Sequence, residues 1–170
     1  MKTPFVTQRI YTRPGKINNT SGDFVCLHCE AFVSVEEALS GVRNRNHCPY
    51  CLSSRHLDQF EAGDRLSACK APMRPVGLTI KQIAKKYAGH RQGELMLVHL
   101  CQDCGKVSIN RIAADDAAEM ILSVLEQSAK LDPTTRDLLA RNGVVLLSAA
   151  QIDLVRQYLF GINYSLSQEG

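Results

Sequence analysis

The rhythm of apolar positions changes near residue 113 of this chain. Beyond that point Ala118, Ile121, Leu122, Leu125 and Ala129 recur at i, i+3, i+4, i+7 and i+11, the single stripe of an amphipathic helix. Asp132-Pro133 opens a second helix with proline in its first turn, and Asn142-Gly143 stops it. Ser148-Ala149-Ala150-Gln151 has the form of a capping box and predicts a third helix, with Ile152, Val155 and Leu159 on one face and Gly161 at its end. Helices this short do not bury their stripes alone, so they pack on each other, on the preceding module or on a partner.

Residues 23–112 lack that period and read as short strands and loops. Phe24-Val25 and Phe32-Val33 are strand fragments, and Leu95-Met96-Leu97-Val98-His99-Leu100 is the best strand candidate. Ser34 to Leu39 predicts a short helix in which Ser34 caps and Glu37 completes the box. With 170 residues, 45% of them apolar, one ordinary domain with a buried core is feasible. No apolar run approaches the ~20 residues a membrane-spanning helix needs. The opening Met1 to Thr7 has no secretory core, so the expected localisation is cytoplasmic, with no membrane partner.

Cysteine changes the picture most. Of the seven, Cys26/Cys29, Cys48/Cys51 and Cys101/Cys104 form Cys-x-x-Cys pairs, and Cys69 stands apart. A tight turn aims both sulfurs of such a pair at one ion, and two turns supply the tetrahedral set that zinc prefers. Cys26, Cys29, Cys48 and Cys51 therefore predict a first, structural zinc site. Cys69, Cys101 and Cys104 need a fourth ligand for a second. His99, two residues before Cys101 and on the same face of an extended strand, is the first choice. His56 is the main alternative, an open position with water the third, and a crossed pairing of Cys26/Cys29 with Cys101/Cys104 also satisfies the spacing. Two Zn2+ ions are thus the expected cofactors. They would bring the formal charge from +3 to near neutral.

The charge is unevenly laid out. Residues 1–22 carry Lys2, Arg9, Arg13 and Lys16 with no acid, residues 61–112 hold nine Lys or Arg against four acids, and residues 113–170 are acidic. Nucleic-acid contacts are expected from Arg9, Arg13, Lys16, Arg43, Arg45, Lys81, Lys85, Lys86 and Arg91. If their segment is helical, Lys81 and Lys85 share a face. Two other features are weighed against duller readings. Cys48-Pro49-Tyr50-Cys51 resembles a glutaredoxin site but lacks the βαβ setting of a redox motif. Asp115-Asp116 would cap the helix that follows rather than form a catalytic pair, with Arg111 on phosphate or on these acids.

Arg45-Asn46-His47-Cys48-Pro49 resembles the signature of the RNHCP-domain family, small bacterial zinc-ribbon-like proteins. The likeness continues through Phe24-Val25-Cys26, Ser54-x-His56-x-Asp58, Gly63-Asp64-Arg65, Met73-x-Pro75-Val76, His99-x-Cys101-x-x-Cys104-Gly105, Asn110-Arg111 and Asp115-Asp116. It implies a compact zinc-binding module and gives His56 and His99 a role. Glu30 and Ala71 stand where the family pattern has glycine.

The expected fold is α+β: a basic flexible arm over 1–22, a β-rich zinc module with two sites over 23–116, and a C-terminal extension of about three helices over 117–170. The expected function is a non-enzymatic module binding structured RNA or a ribonucleoprotein, associated with the ribosome or translation, with no small-molecule substrate. The alternatives are a protein–protein adaptor using residues 117–170, and an enzyme using thiols or a water-bearing second zinc.

Overall fold

The computed structural model describes residues 22–82 and 93–161. Its first element is a two-stranded hairpin, β1 (Phe24–Val25) and β2 (Phe32–Val33), with Phe24 opposite Val33 and Val25 opposite Phe32. A single helical turn, α1 (Glu37–Ser40), follows. Ser34 does not cap it: Glu36 holds the cap position without a side-chain bond, and Ser34 Oγ accepts only from the Glu36 N–H at 3.3 Å.

The main sheet is an antiparallel meander of β3 (Ser54–Arg55), β4 (Pro72–Gln82), β5 (Gly93–Cys101) and β6 (Val107–Arg111). The apolar run that predicts a strand at Leu95–Leu100 lies within β5. That strand is buried along nearly its whole length because both of its faces are covered. Leu95 and Leu97 pack with Leu52, Leu78 and the helices, whereas Val98 and Leu100 pack with Val76, Val107 and Leu139.

Lys81 is in β4 rather than in a helix. The pattern hides this strand because Pro72, Pro75 and Gly77 interrupt it. In the structure the register shifts between Pro75 and Gly77, the kind of irregularity that tolerates proline and glycine in a sheet. Gly77 is also needed for packing, since a Cβ there would stand 2.7 Å from Leu146 Cδ2.

Three helices complete the described chain: α2 (Ala118–Ser128), α3 (Pro133–Arg141) and α4 (Ile152–Phe160), the last entered through a 3-10 turn at Ala149–Gln151. Asp132 caps α3, its carboxylate accepting from the Thr135 N–H at 2.9 Å and hydroxyl at 2.7 Å. The Ser148/Gln151 capping box is present. Ile121, Val124 and Leu125 of α2 and Val155 of α4 share one buried cluster with Leu52, Leu78, Leu95 and Leu97. The helices therefore complete the core of the sheet. The segment before α4 also shields the β4 edge: the Leu147 N–H donates to Leu78 O at 2.8 Å, and Thr79 Oγ1 donates to Val145 O at 2.7 Å. Among the described residues no helix is long and apolar enough to cross a membrane.

Candidate metal centres

Three Cys-x-x-Cys segments close in the same way. The Cys26, Cys48 and Cys101 N–H groups donate to Ala31, Ser53 and Lys106 carbonyls, each at 2.9 Å. The Glu30, Leu52 and Gly105 N–H groups turn back to the carbonyls of Cys26, Cys48 and Cys101. Each of these three residues follows the second cysteine of its pair and has a left-handed φ of 60°, 59° and 72°. Glu30, which stands where glycine was expected, takes that conformation and leaves the turn intact. Lys70, after Cys69, is left-handed too.

These turns gather all seven cysteines into two groups. Cys26, Cys29, Cys48 and Cys51 form the first, with donor atoms within 4.8 Å of one another. Cys26 Sγ lies 3.6 Å from Cys51 Sγ, and Cys29 Sγ lies 3.6 Å from Cys48 Sγ. The pairing is therefore not crossed with Cys101 and Cys104. The second group is Cys69, Cys101, Cys104 and His56. Cys69 and Cys101 sulfurs are 3.6 Å apart, and His56 Nδ1 is 3.2 Å from Cys104 Sγ.

His99 is not part of it. Its ring is fully buried beneath the sheet, with Nε2 2.7 Å from Leu52 O and Nδ1 2.8 Å from the Asn110 amide nitrogen. Burial, with the nearby His47 ring, lowers its pKa to about 3 and keeps it neutral. His56 reaches the cluster because β3 continues past Arg55: the His56 N–H donates to Ala71 O at 2.9 Å, which brings the histidine alongside Cys69 and its neighbours. Ala71, the second departure from the family's glycine, is buried and supplies that carbonyl without obstruction. His56 was the alternative ligand on the sequence and gained a role from the resemblance, but strand pairing rather than spacing is what brings it to the cluster.

Both sets fit zinc. Sulfurs at ~2.3 Å around a tetrahedral ion stand about 3.8 Å apart, close to the observed 3.6 Å and far from the ~2.05 Å of a disulfide. Burial, then neighbouring sulfurs, pushes the Cys26 and Cys48 thiols up and Cys69 to about 12, against main-chain N–H groups that oppose it. Cys29, bonded by the Ala31 N–H, is lowered. A divalent cation resolves such crowding by holding the sulfurs as thiolates. His56 is suited to the same task, since burial first and the charges of Lys106 and Lys70 next favour its neutral form.

A family model of the RNHCP domain matches residues 21–122. The chain belongs to the RNHCP-domain family. No curated protein and no solved structure matches it.

In this RNHCP domain the polar residues of the signature point inward. Arg45 is 2% exposed and binds Asp115 through two N–H groups, at 2.8 and 2.7 Å, while reaching Asp116 at 3.2 Å and His47 O at 3.1 Å. His47 Nε2 lies 2.7 Å from Asp116 Oδ2. Asn46 donates to Asp58 at 2.9 Å and accepts from Arg65. Pro49 O accepts from the Ala117 N–H at 2.9 Å, at the start of α2. Arg45 is thus an internal strut and not a phosphate contact. Asp115 and Asp116 do not cap α2, whose cap position is Ala117 without a side-chain bond. Arg111 pairs with neither acid but with Glu94, at 2.6 Å.

Of the other expected nucleic-acid contacts, Arg43 is exposed and 3.9 Å from Glu37, and Lys81 is exposed near the end of β4. Arg9, Arg13, Lys16, Lys85, Lys86 and Arg91 lie outside the described residues. Sequence reasoning missed a second group of cations beside the His56 centre. Lys70 Nζ donates to Arg65 O at 3.0 Å, and Arg55 and Lys106 line one cleft with His56. These residues are scattered over some fifty positions of sequence, and the pairing of β3 with β4 and of β4 with β5 brings them together.

Proposed function

We propose that this RNHCP-family protein is a non-enzymatic zinc module that binds structured RNA or a ribonucleoprotein such as the ribosome. The observation that carries the reading is that each cluster supplies four potential ligands from this chain, enough for a closed tetrahedral set. Catalytic zinc keeps a position for water or substrate, whereas a closed set holds shape. What remains for function is the surface that the metals stiffen. Cations at Arg55, Lys70 and Lys106 sit beside the second centre, and the sequence also carries Lys81 and the basic segments 1–22 and 83–92.

The test is binding of the zinc-loaded full chain to ribosomal RNA fragments across a salt series. The logarithm of affinity should fall linearly with the logarithm of salt as counterions are released. A complex indifferent to salt, or no complex at low ionic strength, contradicts the proposal.

A second reading, a protein–protein adaptor, is favoured by the exposure of Val145, Leu154 and Phe160 around the helical layer. Removing residues 117–170 would not separate the two readings, because α2 and α4 belong to the common core. Replacing those three exposed residues by serine does: protein capture is lost under the second reading, and RNA binding is kept under the first.

A further inference from the structure

Phe60 is 82% exposed, the most exposed of the large apolar side chains among the described residues. The loop that carries it is nonetheless fixed. The Asp64 carboxylate accepts from the N–H groups of Gln59 (2.9 Å), Phe60 (2.8 Å), Glu61 (3.0 Å) and Leu66 (3.0 Å). One residue before this cage, Asp58 accepts from Asn46 Nδ2 at 2.9 Å and from the Arg65 N–H at 3.1 Å. Gly63, at φ +90°, closes the turn against Asn44, which would lie 2.4 Å from a Cβ there. A phenylalanine pointing to water from a rigid loop gains nothing for the fold. Its backbone is already ordered, so binding a planar partner costs little further main-chain entropy.

Beside Phe60 lies a cleft of about 230 Å³ whose lining includes Arg55, His56, Lys106, Ser108 and Asn110. Lys106 is exposed, and its ammonium makes no hydrogen bond or ion pair with a described residue. Of the two acids on the cleft, Asp58 is held by Asn46 and Arg65, and Glu61 sits at the exposed outer rim. An aromatic face beside two cations on a stiff frame is the arrangement that receives a base and its phosphate.

We propose that this cleft takes one unpaired nucleotide of single-stranded RNA, the base stacked on Phe60 and the phosphate at Lys106 and Arg55. The inference rests on the RNA reading above and names the part of RNA that this site would take. Paired bases, already stacked in a helix, would not present a free face to Phe60.

The experiment uses the zinc-loaded full chain and a short unstructured oligoadenylate, with an RNA duplex as competitor. Phe60→Ala, at an exposed position, should leave metal content unchanged and weaken single-strand binding about tenfold. The chain has no tryptophan, so Phe60→Trp introduces a sole indole. That variant should retain affinity and lose emission when the oligonucleotide binds. Lys106→Glu should weaken binding and reduce its salt slope by about one counterion. If the oligonucleotide binds but Phe60→Ala leaves affinity unchanged, or if duplex competes equally, the nucleotide site is overturned and the wider RNA reading stands. If no RNA binds at any ionic strength, both fall.

Discussion

His47 Nε2 lies 2.7 Å from Asp116 Oδ2, and neither side chain is more than 2% exposed. The histidine immediately precedes the ligand Cys48, and the aspartate sits two residues before α2. One buried contact therefore ties a metal knuckle to the helical layer across 69 positions of sequence. Arg45 does the same from two residues farther back, through Asp115 and Asp116. Buried charges are costly unless fully paired, and here every polar group of Arg45 and Asp116 that the contact uses meets a partner. The family signature thus acts as a clamp between the Cys48 knuckle and the start of α2.

Breaking the clamp should be severe. Arg45→Ala leaves Asp116 buried without its cation, and the expected loss is about 3–5 kcal/mol in urea unfolding of the zinc-loaded protein. Arg45→Lys should recover little, because an ammonium cannot reproduce the two parallel bonds to Asp115. A loss near zero for Arg45→Ala would show that the contact carries no stability.

The same contact sets a pH dependence. Burial raises the Asp115 carboxyl, but the Arg45 hydrogen bonds and charge outweigh it and hold the group below its ordinary value. A depressed carboxylate stabilises the fold above its unfolded pKa of about 3.9, and that contribution is lost as pH falls through the lower folded value. Asp115 is partly exposed, so Asp115→Asn should cost only about 1 kcal/mol at neutral pH. The deficit relative to the unmodified chain should narrow below about pH 4. Paired thermal unfolding curves across pH check this, and a deficit that does not change with pH contradicts it.

The two histidines separate cleanly by metal content. His56→Ala should reduce bound zinc from two ions to one, and His99→Gln should keep both, measured as zinc per chain after gel filtration. His99→Gln removes a ring buried against Leu52 and Asn110, so it should lower stability while sparing stoichiometry. The reverse pattern would return His99 to the ligand set.

Much of this was legible in the chain. The cysteine spacing marked six of the eight metal donors, since a knuckle is a local structure that its own residues define, and Cys69 followed as the one thiol left over. The helix start at Asp132-Pro133 and the capping box at Ser148 were legible for the same reason. His99 misled because alternation along β5 describes which face a side chain takes, not what waits there: the Leu52 carbonyl and Asn110 claim its ring. His56 and the Arg45 clamp depend on contacts between distant segments, which neither period nor spacing encodes. β4 was hidden because its prolines and glycine suit an irregular strand that only its partners make regular.

Metal removal should reach beyond the cysteine loops. The Ala117 N–H donates to Pro49 O and the Ala114 N–H to Ser40 O, at 2.9 and 2.8 Å. Chelation should therefore raise hydrogen exchange across residues 113–121 together with the knuckles. Exchange confined to the cysteine loops would show that the clamp holds without metal.

Seven thiols and one imidazole of this chain stand in two four-ligand sets, each closed around room for one ion. X-ray absorption at the zinc edge, on freshly isolated reduced protein with its metal quantified, addresses this directly. Two zinc ions per chain are expected, with seven sulfur and one nitrogen donors shared between them and no oxygen neighbour. A single ion, a first shell containing oxygen, or a folded chain without metal would contradict this.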